Sequence, residues 1–141
     1  MSPTPSRSGS CAVIAVDTNA VVRLLTFDDP EQAERAKRLF ATDTTYLAKT
    51  VLLEGEWVLR KLYGLPPRAV VGALRKLIAL EGSRTEDVDT IRLALDWADA
   101  GLDFADDLHV ASAIGAGRFA TLDGKLEKRA DSFQGIEVVE P

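Results

Sequence analysis

Residues 12–19 read Ala-Val-Ile-Ala-Val-Asp-Thr-Asn, an unbroken apolar run that ends at Asp17. Five consecutive apolar residues bounded by a polar turn are typical of a central strand in a parallel sheet, buried on both faces. A helical pattern follows directly, and its apolar positions are Val21, Val22, Leu24 and Leu25. The stretch therefore predicts a strand, a turn and a helix, with an aspartate at the carboxyl end of the strand.

Strand and helix patterns alternate through the rest of the chain. Short apolar or β-branched runs predict further strands at 44–48, 84–85, 119–122 and 136–139. Helical spacing, with proline at several starts and glycine at several ends, predicts helices at 18–26, 30–40, 50–63, 66–80, 87–100 and 104–116, and a short charged helix before the last strand. Such alternation predicts an α/β fold, a three-layer α/β/α sandwich with a central, mostly parallel sheet.

The length of 141 residues fits one domain. We expect a flexible leader rich in Ser, Pro and Gly at residues 1–11, and a single domain at residues 12–141. No apolar stretch approaches the roughly 20 residues of a membrane span, and the leader lacks the apolar core of a secretory signal, so no membrane association is expected. The single cysteine, Cys11, cannot form an internal disulfide, which fits a reducing cytoplasm.

Acidic residues follow two of the predicted strands. The run 119–122 ends at Asp123 as the first run ends at Asp17, and ligands bind open parallel sheets at the carboxyl edge of the strands. Glu54 and Asp106 lie early in predicted helices beside apolar residues, which predicts that they face inward. Four carboxylates at one edge would repel one another unless a cation neutralised them, and their hard oxygen atoms suit Mg²⁺ or Mn²⁺. The pattern predicts a metal-dependent enzyme that acts on phosphate esters.

Each of these acids also has an ordinary structural interpretation. Asp17 can be a helix N-cap, Glu54 and Asp106 can complement a helix dipole, and Asp123 can belong to a common Asp-Gly turn. No single position is decisive, so the prediction rests on two acids that follow strands and two that lie early in helices. Glu56 is predicted to be a surface acid.

Neighbouring residues are assigned supporting roles. Asp103 is predicted to cap a helix or to support the site, and His109 to pack or to support it. The residues that could hydrogen-bond the carboxylates or metal-bound water are Thr18, Asn19 and Thr121. Because the net charge is −5, contacts to a phosphate substrate must come from local basic residues, of which Arg23 and Lys125 are nearest to the acids in sequence.

Four segments carry a family resemblance: Val16 to Asn19, Val51 to Leu59, Asp103 to Ala111, and Thr121 to Asp123. In order and spacing they resemble the PIN-domain ribonucleases, in particular the VapC-type toxins of bacterial toxin–antitoxin systems, over essentially all of residues 12–141. The resemblance implies an α/β/α sandwich, endonucleolytic cleavage of RNA, homodimerisation and inhibition by a small cognate antitoxin. It implies an Mg²⁺ or Mn²⁺ site at Asp17, Glu54, Asp106 and Asp123. Leu122 is a departure, since an aromatic residue often stands there.

Two other classes of function remain open. A phosphatase or phosphoacceptor domain also places an aspartate after its first strand. A haloacid-dehalogenase-type phosphatase, however, needs a second aspartate where this chain has Asn19, and a receiver domain needs a lysine where it has Asp123. The third hypothesis is a non-catalytic interaction module that binds a partner through the acidic groove.

Overall fold

The computed structural model describes residues 12–141, so the predicted leader at residues 1–11 lies outside the described residues. The chain divides into two compact units, with the boundary between Val88 and Asp89. The single domain predicted for residues 12–141 stays a prediction. Within the described part of the chain, no helix combines the length and the apolarity needed to cross a bilayer.

The first unit is built on a three-stranded parallel sheet. Its strands lie in the order β1 (Ile14–Ala15), β2 (Thr45–Leu47) and β3 (Ser83–Thr85). Thr45 of the central strand β2 pairs with Ile14 of β1 on one side and with Ser83 of β3 on the other. The connecting helices are α1 (Thr18–Thr26), α2 (Pro30–Thr42), α3 (Lys49–Trp57) and α4 (Pro67–Ile78). Both strand-to-strand connections therefore pass through helices, as parallel pairing requires.

Helix α1 is the packing centre of the first unit, because it contacts both α2 and α3. Val21 and Val22 of α1 are buried. Gly55 lies where α3 approaches α1, and a Cβ atom there would stand 3.9 Å from Cγ1 of Val21. This approach brings the first turn of α1 and the middle of α3 near one another, and both carry candidate site residues.

The second unit contains three helices and a two-stranded parallel sheet. The helices are α5 (Val88–Asp99), whose first residue belongs to the first unit, α6 (Phe104–Ser112) and α7 (Gly124–Lys128). The strands are β4 (Arg118–Ala120) and β5 (Glu137–Val139), with Phe119 opposite Val138. Trp97 of α5 packs edge-on against Phe133, with ring centroids 4.9 Å apart and an interplanar angle of 80°. This geometry is the one that aromatic pairs prefer.

The predicted α/β fold with parallel strands is confirmed, and most boundaries agree within a few residues. Helix α1 occupies the predicted 18–26, Asp29 caps α2 with Pro30 at its first position, and α4 begins at Pro67. The predicted strands near 44–48, 84–85 and 136–139 are present as β2, β3 and β5. These boundaries were predictable because caps, prolines and glycines act locally.

The two apolar runs that end at aspartates are less buried than predicted. Strand β1 lies at the edge of its three-stranded sheet, not at the centre, and Ile14 is exposed. Strand β4 is exposed at both of its ends, and Leu122, just beyond it, is 86% exposed. Within its own sheet each of these strands pairs on one side only.

Two predicted helices are wrong in their bounds. Helix α3 begins at Lys49, one residue before the predicted start, and its N-cap is Ala48. It ends at Trp57 and continues as a π-helical segment, Val58–Leu62, in which the N–H of Tyr63 donates to the carbonyl of Val58. The helix predicted to reach residue 116 ends at Ser112, and a 3₁₀ turn, Ile114–Ala116, follows.

The π-helical segment offers a matched test of the core. Leu59 is 0% exposed and Leu62 is 67% exposed. We expect Leu59→Ala to lower the free energy of unfolding by about 2–5 kcal/mol, because it removes buried methyl groups and leaves a cavity. Leu62→Ala should change it by less than about 0.5 kcal/mol. Urea denaturation of both variants measures the difference, and equal losses would contradict the observed burial.

Candidate functional site

Asp17 caps α1 directly beyond β1. Its Oδ1 accepts a hydrogen bond of 2.9 Å from the backbone N–H of Ala20, so the N-cap interpretation is right. A carboxylate has two oxygens and about four lone-pair positions, and the cap occupies one of them. The side chain is exposed, so the cap orients the carboxylate and leaves Oδ2 accessible.

Thr18 links the first turn of α1 to Glu54 on α3. Its hydroxyl donates to Oε1 of Glu54. Glu54 was predicted to face inward, on the buried stripe or at its edge, and the inward orientation is wrong, because the residue is exposed. The first unit thus brings Glu54 next to Thr18 at the start of α1.

Glu56 is the buried acid of α3, and its prediction as a surface residue is wrong. It is 5% exposed, and its Oε2 accepts a 2.8 Å hydrogen bond from Nε of Arg60, one turn away. The buried stripe is Leu52, Gly55, Glu56 and Leu59. Glu56 belongs to this stripe, and Arg60 neutralises its charge where burial would otherwise disfavour it.

In the second unit, Asp103 caps α6 and holds the backbone of Asp106. Its Oδ1 accepts a 3.0 Å hydrogen bond from the N–H of Asp106. Burial raises the pKa of Asp106 above its ordinary value, and the charges of Asp103 and Asp123 raise it further. His109 and Arg129 act in the opposite direction. The second unit therefore crowds three of the predicted acids closely enough for their charges to interact.

Asp123 lies between β4 and α7, and it too is an N-cap. Its Oδ1 accepts a 2.9 Å hydrogen bond from the N–H of Lys125, whose side chain is exposed. The N–H of Asp123 donates to the hydroxyl of Thr121 at 2.9 Å, and the N–H of Thr121 donates to Val139 of β5. Thr121 therefore anchors the backbone of Asp123 to the sheet. Its hydroxyl was predicted to contact a carboxylate, but it accepts the backbone N–H of Asp123 instead.

The acid that the sequence reasoning missed in α6 is Asp107. It is 0% exposed and shares the buried stripe of α6 with Phe104, Leu108 and Ala111, while Asp106, predicted to point inward, is half-buried. The positions 104, 107, 108 and 111 have helical spacing, which was the available signal. His109, predicted to pack or to support the site, is exposed.

Arg23 is held by a polar network on α1 and α2. Its Nε donates to Gln32 at 2.8 Å, and its Nη1 donates to Asp28 at 3.2 Å and to the hydroxyl of Tyr63 at 2.9 Å. Tyr63 also donates to Asp28 at 2.6 Å, and this hydrogen bond, with those from Thr26 and the charge of Arg23, holds the pKa of Asp28 below its ordinary value. The guanidinium of Arg23 is thereby fixed in orientation.

Arg23 also lines an open groove of about 510 Å³ in the first unit. We call it the α1–α2 groove, and its polar lining consists of Asp17, Asn19, Arg23, Gln32 and Arg35. The sequence reasoning named three of these residues but missed Gln32 and Arg35, which lie on one face of α2 three residues apart. The groove extends from the proposed metal ligand at the start of α1 along both helices.

The donor chemistry of these acids fits a hard divalent cation. All are carboxylates, the capping hydrogen bonds of Asp17 and Asp123 use one oxygen each, and the crowding around Asp106 would be relieved by positive charge. No group of three or more Asp, Glu, His or Cys side chains among residues 12–141 lies close enough to hold a metal ion. The fit therefore rests on ligand type and on charge.

A comparison with protein families finds that the profile of the PIN domain family matches residues 14–132. The match contains all four predicted metal ligands and runs through both units. A search of the curated proteins finds no match to the chain. PIN domains are generally nucleases that use divalent metals, so the match indicates a metal-dependent nuclease.

Because folding raises the pKa of Asp106, its ionised form opposes folding in the metal-free protein at neutral pH. This cost declines as the pH falls through the folded-state pKa and is gone below the unfolded-state pKa. Asp103→Asn keeps a capping side chain and removes one of the charges responsible. We expect the pKa of Asp106 to fall toward its ordinary value in this variant, as measured by NMR titration of the side-chain carboxyl carbon.

The matched control is Asp131→Asn, which removes one charge from the same unit at a residue that is not among the causes of the shift. If both variants lowered the pKa of Asp106 equally, the crowding attributed to Asp103 would be wrong.

Proposed function

The chain belongs to the PIN domain family, and we propose that it is a metal-dependent endoribonuclease and the toxin of a toxin–antitoxin pair. The observation that carries the proposal is the environment of Asp106, where burial raises the pKa and the charges of Asp103 and Asp123 raise it further, so that a nearby cation would stabilise the ionised carboxylate. A phosphatase is a weaker alternative, because the position two residues after Asp17 is an asparagine.

We assign the metal ligands to Asp17, Glu54, Asp106 and Asp123, with Mg²⁺ or Mn²⁺ as the ion. A divalent cation would supply Lewis-acid activation of a water molecule and would neutralise charge that develops on the phosphate. The protein's own contribution is orientation. Helix caps fix Asp17 and Asp123, and Asp103 fixes the backbone of Asp106.

Either Glu54 or Asp123 would accept a proton from the attacking water. Thr18 holds Oε1 of Glu54, and the side chain is exposed, so Oε2 remains accessible for this role. Arg23 and Lys125 are proposed to contact the RNA backbone. Arg23 is oriented by its network with Asp28 and Tyr63, whereas Lys125 is an exposed cation in the first turn of α7.

The remaining parts of the proposal concern partners and location. We propose that the protein acts in the cytoplasm, forms a homodimer and is inhibited by a small cognate antitoxin. The support is the resemblance to VapC-type toxins together with two exposed apolar side chains, Trp57 and Leu62, at the end of α3 and in the π-helical segment. Light scattering and co-purification with a neighbouring gene product would test these parts separately from the chemistry.

The test of the chemistry is cleavage of a mixed RNA pool by the purified chain, freed of bound partner, with Mg²⁺ or Mn²⁺. We expect Asp17→Asn and Asp106→Asn to lower the cleavage rate by more than about 100-fold, since even the outer partners of metal ligands are worth roughly 10–100-fold. Asparagine preserves the cap at Asp17, so the fold should survive.

Asp29→Asn is the matched control, because Asp29 caps α2 through a 3.1 Å hydrogen bond from Gln32 and has no proposed role with the metal. This variant should cleave RNA at the parental rate. Cleavage that persisted in both site variants, or trapping of an aspartyl-phosphate, would overturn the proposal. A folded chain that binds no divalent metal in calorimetry would favour the interaction module.

A further inference from the structure

The α1–α2 groove has the size and chemistry of a ligand site. Its volume of about 510 Å³ lies within the range of roughly 300–1,000 Å³ that is usual for ligand pockets. Its apolar lining comes from Ala20 of α1 and from Ala36 and Leu39 of α2. Two alanines among the three keep the groove open, and polar side chains of both helices stand at its edges.

We infer that the α1–α2 groove binds a phosphodiester of the RNA strand, next to the one cleaved, and that Arg35 is its principal anion contact. The inference rests on the proposed nuclease function, because it places the RNA strand beside Asp17. Arg35 and Asp17 line the same groove, so a nucleotide held by Arg35 would be connected to the proposed metal ligand within one open space.

The two arginines of the groove are not equivalent. Arg23 is engaged with Gln32, Asp28 and Tyr63, so most of its donor capacity is used inside the first unit. Arg35 is exposed, and within residues 12–141 no acid forms an ion pair with it. A guanidinium presents five donors in a planar fork that matches phosphate oxygens. Arg35 can offer this whole fork to an incoming anion, whereas Arg23 can offer only the donors that its network leaves over.

Gln32 is oriented to assist Arg35. Its Oε1 accepts the hydrogen bond from Nε of Arg23, which fixes the side-chain amide and leaves the NH₂ group as a donor. Gln32 and Arg35 are three residues apart on α2 and therefore share one helix face. The network around Arg23 thus acts as a positioning device for the Gln32 donor, and Arg35 supplies the charge.

The test measures the binding of a fluorescent oligouridylate to the full chain with a chelator present, so that cleavage does not contribute. We expect Arg35→Gln to raise Kd by about 3- to 10-fold, between the effect of a screened ion pair and that of a charge-assisted hydrogen bond. The slope of log K against log salt should fall in magnitude by about 0.7, the value of one single-strand phosphate contact. Arg35→Lys should keep the slope and lose part of the affinity.

Lys37→Gln is the matched control, because Lys37 is exposed on the same helix, points away from the face of Arg35 and does not line the groove. It removes the same charge and should keep the parental Kd and slope. Equal effects of Arg35→Gln and Lys37→Gln would overturn the inference. The inference would also be overturned if Arg35→Gln lowered the affinity for an oligoglutamate peptide and left RNA binding unchanged. That result would assign the groove to an acidic protein segment.

The outcome is separable from that of the proposed function. RNA binding that depends on Arg35 in a chain that cleaves no RNA would support the groove and overturn the nuclease. Metal-dependent cleavage with a KM unchanged by Arg35→Gln would support the nuclease and overturn the groove.

Discussion

The N-cap carboxylate is the constraint on which both the fold and the candidate site depend. Four helices begin with an aspartate that accepts a hydrogen bond from the first turn: Asp17, Asp29, Asp103 and Asp123. The first N–H groups of a helix have no intrahelical acceptor, and the helix dipole favours negative charge there. The structural and functional interpretations of Asp17 and Asp123 are therefore compatible, because one oxygen closes the helix and the other remains accessible. The cap alone does not require an acid, since asparagine serves as well.

Caps and turns also explain which parts of the fold were predictable. The start of α1 after Asp17 and that of α2 at Pro30 follow from chemistry within a few residues, and both were predicted correctly. Burial was not predictable in this way, because it depends on residues that are distant in sequence. The apolar run ending at Val16 indicated a central strand, yet β1 pairs on one side only within its sheet, and Ile14 is exposed.

The two acids whose burial was misjudged show why a hydrophobic pattern cannot locate a buried charge. In α3, Val51, Trp57 and Val58 flank Glu54 at helical spacing, whereas the stripe that is in fact buried contains Gly55 and Glu56. The correct stripe carries a different signal, an arginine four residues after Glu56. Asp107 of α6 is also a buried acid. It lies on the same helix face as Phe104 and Leu108 and is buried with them, although its own side chain is polar. The π-helical segment after Trp57 also changes the phase of the helix, which no simple periodicity anticipates.

The net charge of −5 does not decide what the protein binds, because charges farther apart than about 8–10 Å are largely screened at physiological salt. Two local environments matter more. Around Asp106, negative charge is in excess and a cation would be stabilised. In the α1–α2 groove, Arg35 is exposed and forms no ion pair with an acid of residues 12–141, and we propose that it binds an anion there. In the nuclease that we propose, a divalent cation would be stabilised in the first environment and a phosphate in the second. For that proposal the local distribution of charge matters more than the net charge.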